Sequence, residues 1–410
     1  MNHAVSSPPP AVLFVDDEKS VLDGLRRGLL AEAVPWTMHF ALSGVEALMI
    51  MEANQVDVVV TDMRMPGMDG AALLEEVRRR NPHAARLVLS GYSDVDAACR
   101  TIGLAHQYYE KPCPVAVLKD GVNRSLATRR MLSLPPIIER VGGTGNVPVL
   151  PPAVADVLEA RPSQKDVVTE MARAVETDAE LAAGLLRLAN AAYFHLAVSV
   201  GEVGQAIRLL GFDVVRSLAV LCGVTRGYLA RGVAADELDR LERASLRVGA
   251  AARAVAIEEK LSPTEIEQSQ CAGMLAHVGS LPLAIRLADH HGPSRYGADL
   301  TGGDIVEREE RTFALSHAEV GAALLSLWGF TDPIIEAVMF HHFPARCPTA
   351  STVRVSPVLA VHVAQTLVDD SAANDQTLAG LDSVWLRRLG VIDHIPAWRT
   401  AIDRLIGGPR

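Results

Sequence analysis

Short apolar runs alternate with amphipathic segments over the first third of the chain. The runs are AVLFV (11–15), TMHFAL (37–42), VDVVVT (56–61), RLVLS (86–90) and QYY (107–109). Apolar residues recur at helical spacing near 18–32, 43–54, 70–80, 93–104 and 114–130. Strands and helices in this strict alternation predict a doubly wound (βα)5 domain, an α/β fold whose five-stranded parallel sheet carries helices on both faces.

The pattern changes after residue 130. A segment rich in glycine and proline predicts a linker or hinge, and apolar residues then recur every three or four positions, as in LAAGLLRLAN and HAEVGAALLSLW. No β-rich segment follows, so we expect an all-helical second domain with an aliphatic core. The predicted organisation is a disordered tail at 1–10, the α/β domain at 11–130, a linker at 131–152, the helical domain at 140–345 and a helical extension at 346–410.

Composition and charge fit a globular protein and disfavour a nucleic-acid partner. Hydrophobic residues make up 49% and charged residues 21% of the 410 residues. The net charge is −10, of which residues 1–130 contribute −2 and the remainder −8. A surface that follows a phosphate backbone needs a basic excess, so we expect no direct binding of nucleic acid.

Cysteine usage and the absence of long apolar runs predict a cytoplasmic protein. The five cysteines are scattered and form no C-x-x-C pair, which disfavours both a disulfide framework and a thiolate zinc site. The N-terminal sequence MNHAVSSPPP lacks the features of a signal peptide. No apolar run reaches the roughly 18 residues of a membrane-spanning helix, so no membrane insertion is expected.

Polar side chains follow the predicted strands of the first domain. Asp16 and Asp17 follow the first strand, Asp62 the third and Lys111 the fifth, and Ser90 ends the fourth. Because the carboxyl ends of parallel strands meet at one edge of the sheet, these side chains should converge. A cluster of carboxylates needs a cation, and oxygen ligands favour Mg²⁺. Mg²⁺, a lysine and a hydroxyl together predict a phosphoryl-transfer site.

Residues 11–130 resemble the receiver domain of two-component response regulators. The matching motifs are DD at Asp16–Asp17, TDMRMPGMDG around Asp62, LSGY at Ser90 and YYEKP ending at Lys111 and Pro112. The motifs occur in the order and at the strand ends that the receiver fold requires.

The resemblance assigns a role to each of these positions. Asp62 would be the phospho-acceptor, phosphorylated by a cognate histidine kinase. Ser90 and Lys111 would contact the phosphoryl oxygens, and Tyr108 would rotate with the signal. The implied Mg²⁺ site comprises Asp16, Asp17, Asp62 and the backbone carbonyl of Arg64.

Histidines in the helical half raise the alternative of a metallophosphohydrolase. Two segments, CAGMLAHVGSL (271–281) and the stretch from 317 to 342, resemble the HD superfamily of hydrolases. The paired His-Asp ligands of that family fall on Ala276 and His277, an earlier histidine on Ala244 and a late aspartate on Gln365. Without a bridging carboxylate, two ions lack a common anionic ligand and cannot activate water in the usual way.

Three further histidines of that pattern, His317, His341 and His342, are retained. We expect them to be packed or hydrogen-bonded helix residues without acidic partners, and the helical domain to be non-catalytic.

Three segments assign the second domain to a more specific family than the HD superfamily. They lie at 147–158, 177–194 and 198–221. They resemble the HDOD domain, an HD-related output domain of bacterial signalling proteins that is regarded as non-catalytic. Within them, Asn190 and Gly211 are predicted to end helices rather than to perform chemistry.

Together these features predict a phosphorelay response regulator in which phosphorylation of Asp62 controls a non-enzymatic HDOD output module. The main alternative is a receiver-regulated, metal-dependent phosphodiesterase that acts on cyclic-di-GMP or a nucleotide. A DNA-binding regulator is disfavoured by the net charge of −8 after residue 130. The expected partners are a histidine kinase and a downstream signalling protein of unknown identity. The sequence leaves the oligomeric state open, with a homodimer among the alternatives.

Overall fold

The computed structural model describes residues 9–81, 84–91, 105, 107–131, 137, 150–160, 167–291, 303–348, 355–368 and 380–406. Contacts divide the described residues into two compact units, one within 9–131 and one that contains 150–160 and the described residues from 167 to 406. The first eight residues of the predicted tail, the predicted helix at 93–104 and most of the predicted linker lie outside the described residues.

The first unit is a parallel five-stranded sheet with the order β2-β1-β3-β4-β5, as predicted. Its strands are β1 (Ala11–Val15), β2 (Thr37–Ala41), β3 (Val58–Asp62), β4 (Ala85–Gly91) and β5 (Gln107–Lys111). Its described helices are α1 (Lys19–Ala31), α2 (Gly44–Ala53), α3 (Gly70–Arg80) and α4 (Val115–Met131). Every residue of β1 is buried, which explains why this strand reads as a continuous apolar run.

The register of the sheet brings the polar strand ends to one level. Val15 pairs with Thr61, so Asp16, which follows β1, lies beside Asp62, the last residue of β3. Gly91 at the end of β4 pairs with Lys111 at the end of β5. This edge of the sheet, formed by Asp16, Asp17, Asp62 and Lys111, is called the receiver edge below.

The second unit is all-helical in the described residues. Its helices are α5 (Pro152–Glu159), α6 (Val167–Glu176), α7 (Ala179–Ala189), α8 (Val203–Leu210), α9 (Phe212–Leu229), α10 (Ala235–Glu258), α11 (Pro263–Leu275), α12 (Ser280–His291), α13 (Gly303–Phe313), α14 (His317–Leu327), α15 (Asp332–Phe340), α16 (Pro357–Val368), α17 (Ser383–Leu389) and α18 (Ile395–Ile406). Single 3-10 turns lie at Ala192–Phe194, Pro344–Arg346 and Ile392–His394.

Helix α10 lies at the centre of this unit and packs against α11, α16 and α18. The core is mainly aliphatic, as the low aromatic content predicts. The indole of Trp398 on α18 is fully buried, and its Nε1 donates a hydrogen bond of 2.7 Å to Glu259 at the end of α10. The C-terminal helices therefore share one core with the rest of the unit.

Helix ends follow the local sequence. Asn190 ends α7, and its side chain donates to the carbonyl oxygens of Leu186 and Val200 and accepts from the Val200 amide. Gly211 ends α8 with a φ of +94°. Both predictions of helix-ending roles are confirmed.

Among the helices searched, which are those of the described residues, none is both long and apolar enough to cross a lipid bilayer.

Candidate functional site

Lys111 is the centre of the receiver edge. Its Nζ donates to Asp16 Oδ2 at 2.7 Å and to Asp62 Oδ1 at 2.5 Å. Burial lowers the pKa of Lys111, but the hydrogen bonds and charges of Asp16 and Asp62 outweigh burial and raise the pKa above its usual value. The ammonium therefore remains charged at neutral pH and joins the first strand to the third.

The two acidic residues after β1 differ in exposure. The side chain of Asp16 is 4% exposed, and its Oδ1 accepts a hydrogen bond of 2.9 Å from the Glu18 amide. Asp17 is exposed and makes no hydrogen bond or ion pair with the described residues. The buried member of the pair thus has fixed partners, whereas Asp17 faces solvent.

Asp62 ends β3 with a side chain that is 12% exposed. One of its oxygens contacts Lys111, and the other, Oδ2, accepts a hydrogen bond of 2.6 Å from the Arg64 amide. Both carboxylate oxygens are therefore held by donors, and the backbone of Arg64 lies beside the predicted phospho-acceptor.

The structure places the other two predicted switch residues only by their backbone. Ser90 lies in β4 opposite Glu110, at the carboxyl end of the sheet, and Tyr108 pairs with Val88. The side chains of Ser90 and Tyr108 lie outside the described residues. The convergence of Asp16, Asp62 and Lys111 is confirmed, whereas the roles assigned to Ser90 and Tyr108 stay predictions.

A second polar site lies in the helical unit, where four histidines from three segments meet. We call His277, His317, His341 and His342 the four-histidine cluster. His277, His317 and His341 are buried, and each offers a ring nitrogen within 4.8 Å of those of the other two. His317 Nε2 lies 3.4 Å from His341 Nε2 and 3.1 Å from His342 Nε2.

A buried acid accompanies this cluster. Glu309 on α13 is 1% exposed, and its Oε2 lies 2.8 Å from both the backbone amide and Nδ1 of His317. The expectation that these histidines lack an acidic partner was wrong. The sequence does carry a signal, because Glu309 falls on the apolar face of α13, four residues from the buried Ile305 and Phe313.

His277 has an unusual environment for an imidazole. Its side chain is buried, and neither of its ring nitrogens has a hydrogen-bond partner among the described residues. Burial, with a smaller effect of the neighbouring His317, lowers the pKa of His277 to about 3. Burial also lowers the pKa values of His341 and His342 well below the usual range. The rings of these three histidines are therefore neutral at physiological pH.

A glycine allows the backbone segments of the cluster to approach. Gly279 follows His277 in the turn between α11 and α12, against the start of α14. A Cβ on Gly279 would lie 2.1 Å from the carbonyl oxygen of His317 and 2.4 Å from the amide nitrogen of Gly321. Only glycine fits this contact, which brings His277 close to His317.

The positions that the resemblance to HD hydrolases assigns to further ligands provide little for a metal. Ala276 ends α11 and is fully buried, and Gln365 is buried on α16. His362, one turn earlier on α16, has both ring nitrogens occupied, by the His341 carbonyl at 2.7 Å and the Asp382 amide at 3.0 Å. The cluster thus retains imidazoles but no carboxylate in the place of the bridging aspartate.

Comparison with known families agrees with these two units. The family model of the response regulator receiver domain matches residues 12–123, and that of the HDOD domain matches residues 147–344.

Curated relatives match about a quarter to a third of this chain. Sensor kinase CckA of Brucella abortus is 41% identical over 108 residues, which are 26% of this chain and 11% of that protein. The DNA-binding transcriptional regulator NtrC of Escherichia coli K12 is 31% identical over 147 residues, 36% of this chain and 31% of that protein. The chain therefore spans less than a third of the length of these relatives.

Two solved structures are similar to parts of this chain. One is the signal receiver domain of an HD domain-containing protein from Pseudomonas fluorescens, 28% identical over 32% of this chain and 96% of that chain, with a TM-score of 0.30. Another is a putative phosphohydrolase from Shewanella amazonensis, 20% identical over 67% of this chain and 96% of that chain, with a TM-score of 0.47. Together, the motifs, the sheet topology and the two family matches identify this chain as a response regulator receiver domain followed by an HDOD domain.

Proposed function

We propose that this chain is a cytoplasmic phosphorelay protein in which Asp62 accepts a phosphoryl group from a histidine kinase and the HDOD domain relays the signal without catalysis. The observation that carries the first part is the shared contact of the Lys111 ammonium with Asp16 and Asp62. The match of residues 12–123 to the response regulator receiver family supports a histidine kinase as the phosphodonor.

The receiver edge has the charges that phosphoryl transfer needs. Asp62 is accessible at 12% side-chain exposure and offers a carboxylate oxygen as nucleophile. That oxygen would attack phosphorus while the P–N bond of phosphohistidine breaks, and the released imidazole nitrogen takes up a proton. Lys111 lies within hydrogen-bond distance of Asp62 and would donate to an oxygen of the transferred group.

The donor set of the receiver edge fits Mg²⁺. Asp16, Asp17, Asp62 and the backbone carbonyl of Arg64 would hold the ion, and all of these donors are oxygen atoms. The exposed carboxylate of Asp17 has no competing partner among the described residues, so it is available to a cation. When bound, Mg²⁺ supplies positive charge that neutralises the phosphoryl oxygens.

Labelling with a small phosphodonor tests the acceptor. The wild-type chain, incubated with Mg²⁺ and acetyl phosphate, should gain one phosphoryl group in its intact mass, and Asp62→Asn should gain none. Asp17→Asn should label slowly and recover at higher Mg²⁺ concentration. Asp23→Asn, which removes an exposed carboxylate that pairs with Lys19 on α1, is the matched control and should label like wild type. Full labelling of Asp62→Asn would refute the assignment.

The non-catalytic part of the proposal rests on the missing bridging carboxylate. Ala276 supplies no ligand, and His277 is a neutral ring that cannot bridge two ions as an aspartate does. The alternative phosphodiesterase requires such a bridge. The purified chain should leave cyclic-di-GMP and nucleotide substrates intact with Mn²⁺ or Fe²⁺ added. Turnover that is lost in His341→Gln would establish the alternative.

A further inference from the structure

We propose that the four-histidine cluster binds a single divalent transition-metal ion of the Zn²⁺ class, which joins three segments of the HDOD domain. This site is separate from the receiver edge and requires no phosphorylation. Its ligands would be ring nitrogens of His277, His317 and His341, with His342 beside them. These residues come from the α11–α12 turn, the start of α14 and the end of α15.

The hydrogen bonds of two rings determine where their lone pairs point. His341 Nδ1 lies 2.6 Å from the carbonyl oxygen of Val338, which can only accept, so this nitrogen carries the proton. His317 Nδ1 lies 2.8 Å from the carboxylate of Glu309 and is protonated for the same reason. In neutral rings, the Nε2 atoms of both residues therefore present lone pairs.

These lone pairs face each other. His317 Nε2 and His341 Nε2 are 3.4 Å apart. In a tetrahedral site with Zn–N bonds of about 2.0–2.1 Å, adjacent nitrogen atoms are about 3.3–3.4 Å apart. The observed separation therefore matches that of two nitrogen ligands on one ion.

His277 gives a second, independent indication. It is buried in the cluster, its ring stacks with His317 at a centroid distance of 5.5 Å, and both of its nitrogens lack partners among the described residues. A buried polar atom without a partner destabilises the fold, so such atoms normally have a ligand or water. A metal ion in the cluster would satisfy one nitrogen of His277.

Glu309 has the position of a supporting residue in such sites. Histidine ligands commonly donate their other ring N–H to a carboxylate, which orients the ring and strengthens its donor nitrogen. Glu309 accepts this hydrogen bond from His317. It also accepts a hydrogen bond from the backbone amide of His317, which holds the start of α14. Its buried negative charge also offsets part of the charge of a divalent ion.

Imidazole donors select the class of metal and the number of ions. Neutral nitrogen ligands suit Zn²⁺, Fe²⁺, Ni²⁺ or Cu²⁺ and not Mg²⁺. Without a bridging carboxylate the cluster holds one ion, and His342 Nε2, 3.1 Å from His317 Nε2, is placed to complete its coordination. The ion would therefore have a structural role.

The test uses the full-length chain, stripped with a chelator and titrated with Zn²⁺ and Co²⁺ in excess Mg²⁺, which occupies the receiver edge. We expect about one Zn²⁺ per chain, a higher melting temperature, and the visible absorption of tetrahedral Co²⁺ with nitrogen ligands. Less than about a tenth of an equivalent with no Co²⁺ band would overturn the proposal. Two equivalents would also overturn it, in favour of a dinuclear centre.

Variants separate metal binding from packing. His277→Leu should weaken Zn²⁺ binding but leave the stripped chain as stable or more stable, because it removes unpaired buried nitrogens. His277→Cys keeps a donor and should retain Zn²⁺. Glu309→Gln should weaken binding by about 10–100-fold. His195→Asn changes an exposed histidine with a φ of +49°, which asparagine tolerates, and should bind like wild type. Wild-type affinity in His277→Leu and Glu309→Gln would contradict the site.

Discussion

The receiver edge and the four-histidine cluster are both assembled from distant parts of the chain, but they differ in charge and in access to water. At the receiver edge, two carboxylates share one ammonium, Lys111 is 25% exposed and Asp17 lies in solvent. In the cluster, His277, His317 and His341 are buried, and the nearby anion, Glu309, is 1% exposed.

This difference decides what each site can do. A site for phosphoryl transfer must admit the donor and release the product, so its nucleophile has to be accessible, as Asp62 is. A ring of buried imidazoles offers no such access and suits a ligand that stays bound. If both proposals hold, the same chain carries a reversible chemical switch and, apart from it, a fixed structural centre.

Removal of the buried Glu309 side chain should change the free energy of unfolding more than any other substitution that distinguishes the two sites. Glu309→Ala leaves the amide and Nδ1 of His317 without their acceptor in the protein interior, and at about 1–3 kcal/mol for each unsatisfied donor this should lower the free energy of unfolding by about 2–6 kcal/mol. Urea unfolding followed by tryptophan emission measures this. Glu309→Gln, which keeps an acceptor, should lose much less.

Lys111→Ala is the matched change at the receiver edge. Water reaches this site, so the loss of stability should be smaller than for Glu309→Ala, and added Mg²⁺ should recover part of it. An equal loss of stability in the two variants, with no effect of Mg²⁺, would contradict the distinction between a solvent-accessible and a buried site.

Acid should destabilise the stripped helical unit through its buried histidines. Burial lowers the pKa of His277 to about 3, from an ordinary value of 6.5. The unfolded chain therefore binds protons below pH 6.5 that the folded chain excludes, and stability present above pH 6.5 is lost as the pH falls toward 3. His277 alone should account for about 2 kcal/mol at pH 5.

A chain with Trp36→Phe makes that measurement specific, since Trp328, Trp385 and Trp398 then report only on the helical unit. His277→Leu should remove this part of the pH dependence. Unfolding energies that are equal at pH 7 and pH 5 would contradict the depressed pKa.

The sequence was sufficient for most of the receiver edge because parallel strands impose a simple geometry. Apolar runs located the strands, and any polar residue after a strand had to lie at the same edge. Asp16, Asp62 and Lys111 could be placed together on this basis alone. The distance between their atoms could not, because it depends on side-chain conformations that strand periodicity does not specify.

The four-histidine cluster was harder to predict because helical periodicity says which face of a helix is buried, not which helix it meets. The family pattern drew attention to His317, His341 and His342 and treated His277 as a lost ligand. The contact of Glu309 with His317 crosses a helix boundary and has no fixed spacing. The available signal was the position of Glu309 on the apolar face of its helix. This position indicated that the carboxylate is buried, but not which side chain it contacts.

Helix caps should show a smaller difference between the two units. Ser316 caps α14 next to His317, and its side chain and backbone both bond to Glu319 in a capping box. Ser43 caps α2 in the receiver through the Glu46 amide. Each serine-to-alanine change should cost about 1 kcal/mol. Ser316→Ala should additionally weaken Zn²⁺ binding, because it loosens the start of α14, and titration of both variants measures this.

The smallest effect should appear at alkaline pH and belong to the receiver edge. Asp16 and Asp62 raise the pKa of Lys111 above 10.5, despite the opposing effect of burial. A raised folded pKa means that the contribution of Lys111 to stability is complete below about pH 10.5 and is lost as the pH rises through the folded pKa. Other groups also titrate there, so the useful quantity is the difference in unfolding free energy between wild type and Lys111→Met, which subtracts them.

In buffer without Mg²⁺, the fluorine resonance of Trp36 in protein carrying 5-fluorotryptophan reports on the receiver alone. The difference should be constant up to about pH 10 and shrink above it, whereas a difference that grows with pH would show that the ammonium is not the stabilising group.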